Sequence, residues 1–430
     1  MPRIPLTRTI FLPSILTAIA AFSHAQQPMP ANPTSLTREG LDRTEALKIT
    51  DHIYQAVGFG NTFLVTTSGG NVIIDTSSVN VAPLHVKLLK AVSSAPVKYI
   101  ILTHGHGDHT GGVALWREPG TQVIAQKNQV EFLNYQTRLA GFFALRNAAQ
   151  FALPRQPGDR PWAGDYGAKA LATTLFDDKY EFTLGGVKFE LFSTPGETPD
   201  HLSVWIPEWK AAFTGDNYYG SFPNIYTLRG TRERPALDYV NSLNTVLAWK
   251  PELVLPSHGA VIRGNGQITL RLTRYRDAIL YVHDAVVKGM NAGKDVYTLM
   301  REIHLPAELD IGESYGKISW SVRGIYEGYA GFFDLNPAEM YETAAAGIYG
   351  DLVKLAGGPE VVVKLAQLRL SEGKPAEALR LTDAALAADP SNRVALEARL
   401  KTLEQLVREC KNSNERGWLD YSIAETKKKL

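Results

Sequence analysis

Residues 103–112 read Thr-His-Gly-His-Gly-Asp-His-Thr-Gly-Gly, which places His104, His106, Asp108 and His109 within six positions directly after an apolar run. Neutral imidazole is ready to ligate near pH 7, and crowding three rings beside a carboxylate is costly unless something binds the ring nitrogens. The string therefore calls for a metal, and it also constrains the fold. Residues 97–102 are a β-branched and apolar run of the buried-strand kind, while Gly111, Gly112 and then Val113, Leu115 and Trp116 read as a turn entering a helix. The motif sits on a strand-to-helix loop. Alternation along an extended segment sends His104 and His106 to one side, within reach of one ion, and a bend at Gly107 frees Asp108 and His109 for a second. Two ions roughly 3.5 to 4 Å apart can clamp the attacking and leaving oxygens of a hydrolysis. A hydrolase with further ligands downstream is expected.

Those candidates follow other short apolar runs. Residues 189–193 lead into Pro195, Gly196 and Glu197, with His201 just beyond; residues 211–214 lead into Gly215 and Asp216; residues 253–255 lead into Ser257 and His258. A sheet that presents its ligands from strand ends has this pattern. Together with Gly-Gly-Asn-Val-Ile-Ile-Asp-Thr at 69–76, these ordered motifs resemble the metallo-β-lactamase fold superfamily over about residues 50–262. The resemblance implies an α/β fold, the αββα sandwich. It also implies one metal on His104, His106 and Glu197, another on Asp108, His109 and His258, and Asp216 as the bridge. Glu197, where most of the superfamily has histidine, resembles the alkyl sulfatase branch; a carboxylate there lowers the positive charge of the site. His201 is expected to orient Glu197.

Pro-Asn-Ile-Tyr-Thr-Leu-Arg-Gly at 223–230 resembles a stretch of alkyl sulfatases whose Asn and Arg hold the sulfate, and this implies the same role for Asn224 and Arg229. A guanidinium suits it, offering a planar fork of donors and a charge that does not titrate away. Arg232 and Arg234 read only as basic neighbours. Tyr315-Gly316, Tyr326, Gly-Phe-Phe-Asp at 331–334 and Asn336-Pro337 resemble the helical dimerisation region of the same branch, with Tyr315 matching its substrate-facing tyrosine. Two departures stand out: Asp216 where the branch usually has Glu, and Trp320-Ser321 where it has His-Asn. No histidine closely follows Arg229, so no general acid is assigned.

The expected activity is therefore hydrolysis of an alkyl sulfate ester, with Asp108, Asn224, Arg229 and Tyr315 serving the substrate. Two zinc ions are the expected cofactors, since imidazole and carboxylate ligands suit zinc and are compatible with other divalent metals. The substrate is expected to be a small amphiphilic sulfate ester. Fold alone does not choose a substrate, so a β-lactamase, lactonase or thioesterase is the first competing reading. A non-catalytic exported metal-binding scaffold is the second.

At 430 residues and 44% hydrophobic, the chain can bury more than one core. A net charge of +1, with no basic block beyond Lys427, Lys428 and Lys429, argues against a nucleic-acid partner. Cys410 is the sole cysteine, which removes intramolecular disulfides and thiolate metal sites. Residues 1–25 read as a cleavable export signal, with Arg3 and Arg8, an apolar run at 10–22 and Ser23-His24-Ala25, so the mature protein is expected to be periplasmic or secreted. Residues 26–46 read as a linker, 47–264 as the catalytic domain and 265–430 as a helical dimerisation-like domain.

Within the catalytic domain, Leu139, Phe142, Phe143, Leu145 and Phe151 recur at helical intervals ahead of a proline-rich run at 153–162. They fit either a buried helix face or a wall for an alkyl chain, where each buried methylene contributes about 0.8 kcal/mol. Beyond residue 266, helices are expected at 270–290, 297–304, 318–333 and 338–355. A tetratricopeptide-like pair at 360–388 continues into 394–407. One repeat cannot bury its own face and must pack on neighbouring helices or another subunit; the resemblance implies a homodimer formed through this domain. His283 and His304 read as structural, and His52 and His85 have no motif support.

Overall fold

The computed structural model describes residues 32–153 and 172–430. The expected export signal, part of the linker and nearly all of the proline-rich run lie outside the described residues. The first sheet has seven strands side by side in chain order: β1 (Leu47–Lys48), β2 (Ile53–Ala56), β3 (Thr62–Thr67), β4 (Gly70–Ile74), β5 (Val97–Ile101), β6 (Gln122–Gln126) and β7 (Thr174–Phe176). Pairing is antiparallel as far as β4 and parallel from there on. The second sheet takes β8 (Lys179–Leu184), β9 (Val187–Ser193), β10 (Leu202–Ile206), β11 (Ala211–Gly215), β12 (Leu253–Pro256) and β13 (Ile262–Arg263), with β11 and β12 its parallel pair.

Strand periodicity explains why the two sheets face each other. Phe63 and Val65 of β3, Val72 and Ile74 of β4, Leu202 and Val204 of β10, and Ala211 and Phe213 of β11 all enter one core between the sheets. Their alternates, Leu64 and Ile73, point the other way, onto a core shared with α2 (Ala82–Lys90) and α4 (Val113–Trp116). On the far face of the second sheet, Trp205, Ala212 and Val254 meet Tyr239 and Leu243 of α7 (Ala236–Ala248) and Leu272 and Ile279 of α8 (Asn265–Asn291). The result is the αββα sandwich that the resemblance implies.

Four shorter helices fill the loops at one end: α1 (Pro33–Thr37), α3 (Gly107–Thr110), α5 (Gln129–Arg138) and α6 (Ala140–Gln150). After α8 the described chain is helical: α9 (Val296–Glu302), α10 (Ile318–Ala330), α11 (Tyr349–Leu355), α12 (Pro359–Ser371), α13 (Pro375–Ala388), α14 (Arg393–Glu409) and α15 (Ser413–Lys427). Val362, Val363, Ala385, Ala395 and Ala398 join α12, α13 and α14 through a small core. One expectation fails here. Residues 338–355 do not form a single helix but two turns of 3-10 helix, Pro337–Met340 and Ala345–Ile348, followed by the short α11. Among the described residues, no helix is long and apolar enough to cross a membrane.

Candidate functional site

The strand ends β4, β5, β9, β11 and β12 open into loops that meet at one place. His104, His106, Asp108 and His109 come from the loop after β5, Glu197 from the loop after β9, Asp216 directly after β11, and His258 after β12. In two tight groups, His104 with His106 and Asp216, and Asp108 with His109 and His258, the ligand atoms lie within 4.8 Å of one another. Asp216 ties the groups together: its Oδ2 is 3.8 Å from His104 Nε2, 3.5 Å from His109 Nε2 and 3.1 Å from His258 Nε2. Glu197 stands slightly apart, with Oε1 3.8 Å from His106 Nδ1.

The groups around these side chains decide which lone pairs face inward. Asp75, at the end of β4, accepts four hydrogen bonds: from the Thr103 N–H and hydroxyl, both at 2.8 Å, from His109 Nδ1 at 2.8 Å and from Ser257 Oγ at 2.7 Å. Because His109 Nδ1 donates to Asp75, its Nε2 lone pair is turned toward the cluster. The Thr103 hydroxyl, spent on Asp75, accepts from His104 Nδ1 at 3.1 Å, which turns His104 Nε2 the same way. In the sequence Asp75 stands only within a strand motif, and an aspartate closing a buried strand beside the histidine loop is the signal of its role.

His201 is not where the sequence suggested. Rather than orienting Glu197, its Nε2 accepts the Asp216 N–H at 3.0 Å, while its Nδ1 lies 3.2 Å from Thr194 Oγ1. Gly215 makes this approach possible, because with φ at +51° a Cβ there would lie 2.3 Å from His201 Nε2. The partner of Glu197 is instead Arg234, expected to be only a basic neighbour. Its Nη1 donates to Glu197 Oε2 at 2.6 Å, and Tyr239 donates its hydroxyl to the same oxygen at 2.6 Å. Arg234 is 3% exposed, so the pair is a buried salt bridge that anchors Oε2 and leaves Oε1 toward His106.

Burial and charge set the protonation states. Burial, reinforced by the charge on neighbouring groups, pushes His104 and His106 well below the usual imidazole range. Burial alone would lower His258 too, but the Asp216 and Asp108 carboxylates outweigh it and raise it to about 10. Burial opposes ionisation of Asp216, yet His258, His109 and His104 hold it well below the carboxylate range. His109 Nε2 and Asp216 Oδ1 are buried without a hydrogen-bond partner among the described atoms. A buried lone pair that no donor meets is costly. Divalent cations would satisfy both atoms, and the donor set of imidazole nitrogen and carboxylate oxygen fits them.

The cluster forms the floor of a cavity of about 290 Å³ lined by Asp108, His106, Glu197, Asp216, Arg229 and Tyr315 at its polar end. Its apolar side is built by Phe59, Leu133, Phe143, Ala144, Phe151 and Leu153. Of the apolar residues expected to form either a buried helix face or a pocket wall, only Phe143 and Phe151 are buried, and both line the cavity. Phe143 is 2% exposed and faces the cavity, whereas Leu139, Phe142 and Leu145 remain exposed. Arg229 Nη2 lies 3.2 Å from His106 Nε2. Asn224 stands one layer back, where its Oδ1 accepts from Asn414 at 3.3 Å and its N–H donates to the Tyr219 hydroxyl at 2.7 Å. Three other histidines lie elsewhere: His85 bonds Thr62 and the Val57 carbonyl, His283 bonds Asp284 and Tyr329, and His52 stacks on Trp209.

Known proteins resemble this chain in sequence and fold. The family model described as the metallo-beta-lactamase superfamily matches residues 56–258, and that of alkyl sulfatase dimerisation matches residues 298–429. The chain is similar to a linear primary-alkylsulfatase of Pseudomonas sp. (strain ATCC 19151), at 27% identity over 85% of this chain and 74% of that protein. It is also similar to the alkyl/aryl-sulfatase BDS1 of Saccharomyces cerevisiae, at 26% identity over 91% of this chain and 66% of that one. A third relative, an (R)-specific secondary-alkylsulfatase of Pseudomonas sp., is 25% identical over 84% of this chain and 59% of its own length. The chain thus spans between 59% and 74% of the length of these relatives. Among solved structures, the inverting sec-alkylsulfatase Pisa1 from Pseudomonas sp. superposes with a TM-score of 0.82 at 23% identity, covering 90% of this chain and 66% of that one, a likeness of fold.

Proposed function

Residues 56–258 belong to the metallo-beta-lactamase superfamily and residues 298–429 to the alkyl sulfatase dimerisation family, and from this premise we propose that the chain hydrolyses alkyl sulfate esters to an alcohol and inorganic sulfate. The observation that carries the reading is the cavity itself: an apolar wall on one side, and Arg229 beside the carboxylate and imidazole cluster on the other. An alkyl sulfate has the matching two-ended chemistry.

His104, His106 and Glu197 would hold one cation, Asp108, His109 and His258 the other, with Asp216 between them. Zinc suits that donor set. When bound, the two cations supply Lewis acidity and a nucleophile from water at neutral pH. The protein's own groups do the remaining work. Arg229 receives the sulfate oxygens through its fork of N–H donors, and burial keeps the Tyr315 hydroxyl protonated and able to donate. Asn224 does not line the cavity and would serve the sulfate from behind, through Asn414, which bonds both its Oδ1 and the Tyr315 carbonyl. Phe143, Leu133 and Phe151 exclude water from the alkyl chain.

Sulfate release from dodecyl sulfate, with metal content measured on the same sample, tests the reading. Arg229→Ala should keep its metal and raise KM by about 10- to 100-fold, the loss expected of a charge-assisted contact. Turnover of a β-lactam, lactone or thioester with no sulfate release would overturn it. Oxygen-18 water separates the two routes: label in the sulfate means attack at sulfur, label in the alcohol attack at carbon. The same proposal takes residues 1–25 as an export signal, so that protein recovered from a periplasmic fraction should begin at Gln26. It also takes the active form as a homodimer through the helical domain, which the match at residues 298–429 supports.

A further inference from the structure

Helix α15 lies 190 residues beyond Asn224 in sequence, yet it reaches the anion end of the cavity. Residues Asn414, Gly417 and Trp418 share one face at helical spacing, and that face reaches Tyr315 directly through Asn414 and Arg229 by way of Gln150. Toward Tyr315, the entry to the helix bonds the backbone of residues 313–316. Asn412 Nδ2 donates to the carbonyls of Glu313 at 2.7 Å and Tyr315 at 2.9 Å, Ser413 N–H donates to Ser314 O at 2.9 Å, and Asn414 Nδ2 donates to Tyr315 O at 2.9 Å. Toward Arg229, the contact runs through Gln150 at the end of α6. Gln150 Oε1 accepts the Arg229 N–H at 2.8 Å and the Trp418 indole N–H at 3.4 Å, while Gln150 Nε2 donates to Thr227 Oγ1 at 3.0 Å. Arg146 adds donors to the Arg229 and Leu228 carbonyls at 2.7 and 2.6 Å and lies over the Trp418 ring.

Simple helix packing does not need this many polar contacts. Gln150 is 0% exposed and Asn414 1%, and burying an amide costs free energy unless its bonds are specific. The two backbones also press together at one point: a Cβ on Gly417 would lie 2.0 Å from Gln150 O. Neither Gln150 nor Asn414 lines the cavity, so both act through other residues.

We propose that α15 is a strut for the anion site, with Gln150 and Asn414 as positioning residues that hold the backbones of Arg229 and Tyr315 where a sulfate group needs them. The inference rests on the sulfatase reading for its substrate, but not for its geometry. If the seated helix favours anion binding, anion binding must favour the seated helix by the same factor.

The test uses the full chain loaded with its metal. Inorganic sulfate should slow amide hydrogen exchange within residues 413–427. Gly417→Ala and Gln150→Ala should each raise KM for dodecyl sulfate by about tenfold with kcat little changed, the size of an ordinary coupling between sites. Gln150→Glu keeps the acceptor for the Arg229 N–H and should recover most of that loss, which a merely structural role would not produce. Exchange indifferent to sulfate overturns the inference. So does a Gly417→Ala enzyme whose helix exchanges faster while its KM stays put. If the unaltered protein releases no sulfate from dodecyl sulfate but sulfate still protects 413–427, the sulfatase reading falls and the strut stands.

Discussion

At the scale of single residues, Asp75 governs more of the site than any ligand does, since both oxygens are spent on groups that orient His104, His109 and the β12 loop. Asp75→Asn replaces one acceptor oxygen with a donor and should lower metal affinity by about 10- to 100-fold, as changes behind a ligand commonly do; metal retained after dialysis against a graded chelator measures it. Arg234→Ala should do something different. It strands the Glu197 carboxylate in a dry place and should cost about 3 to 5 kcal/mol in urea unfolding. Pairing it with Glu197→Gln should return much of that. These two residues also mark the limit of what the sequence discloses. The donors of the 104–109 loop are legible because they are adjacent on one strand end. Arg234 and Glu197 are 37 positions apart, and nothing local to either says that folding will press them together. His201 misled for the opposite reason, since closeness in sequence to Glu197 suggested a contact that the backbone of Asp216 takes instead.

At the scale of elements, strands such as β11 and β12 are readable from their apolar runs because they are buried at every position, and the positions of the loops follow from them. Helix α2 carries a titratable group inside that packing. His85 is fully buried, and burial pushes it down to about 4 from its ordinary 6.5. The unfolded chain therefore binds the extra proton first, between about pH 6.5 and 4. His85 should thus subtract on the order of 3 kcal/mol from stability as pH falls through that window, and nothing above it. Urea unfolding at pH 7.5 and 4.5 should show a smaller acid loss in His85→Gln than in the unaltered chain; equal losses would remove His85 as a cause. The segment 338–355 escaped the sequence reading because its apolar spacing looks helical. In the fold, Met340, Tyr341 and Ile348 find no core among the described residues, being 63%, 66% and 47% exposed, and the backbone settles into isolated turns.

At the scale of the molecule, that same segment belongs to an exposed apolar arm with Phe332 at 81%, Leu335 at 84% and Leu355 at 85% exposure. A patch of this kind marks an interaction surface, and the proposed dimer would cover it. Leu335→Asp together with Tyr341→Asp should therefore shift sedimentation from dimer to monomer; a pair of substitutions that leaves the dimer intact would place the interface elsewhere. The order in which the parts are made has its own consequence. Every strand of the sandwich ends by residue 263 and every donor of the cluster by residue 258, while α15 is translated after all of them. A chain still being synthesised can thus complete its sandwich and gather its imidazoles with the wall behind Arg229 and Tyr315 still missing. On the proposed strut, completion of the anion site would wait on the arrival of residues 413–427, so a nascent or truncated chain should gather its metal donors before it could turn over substrate.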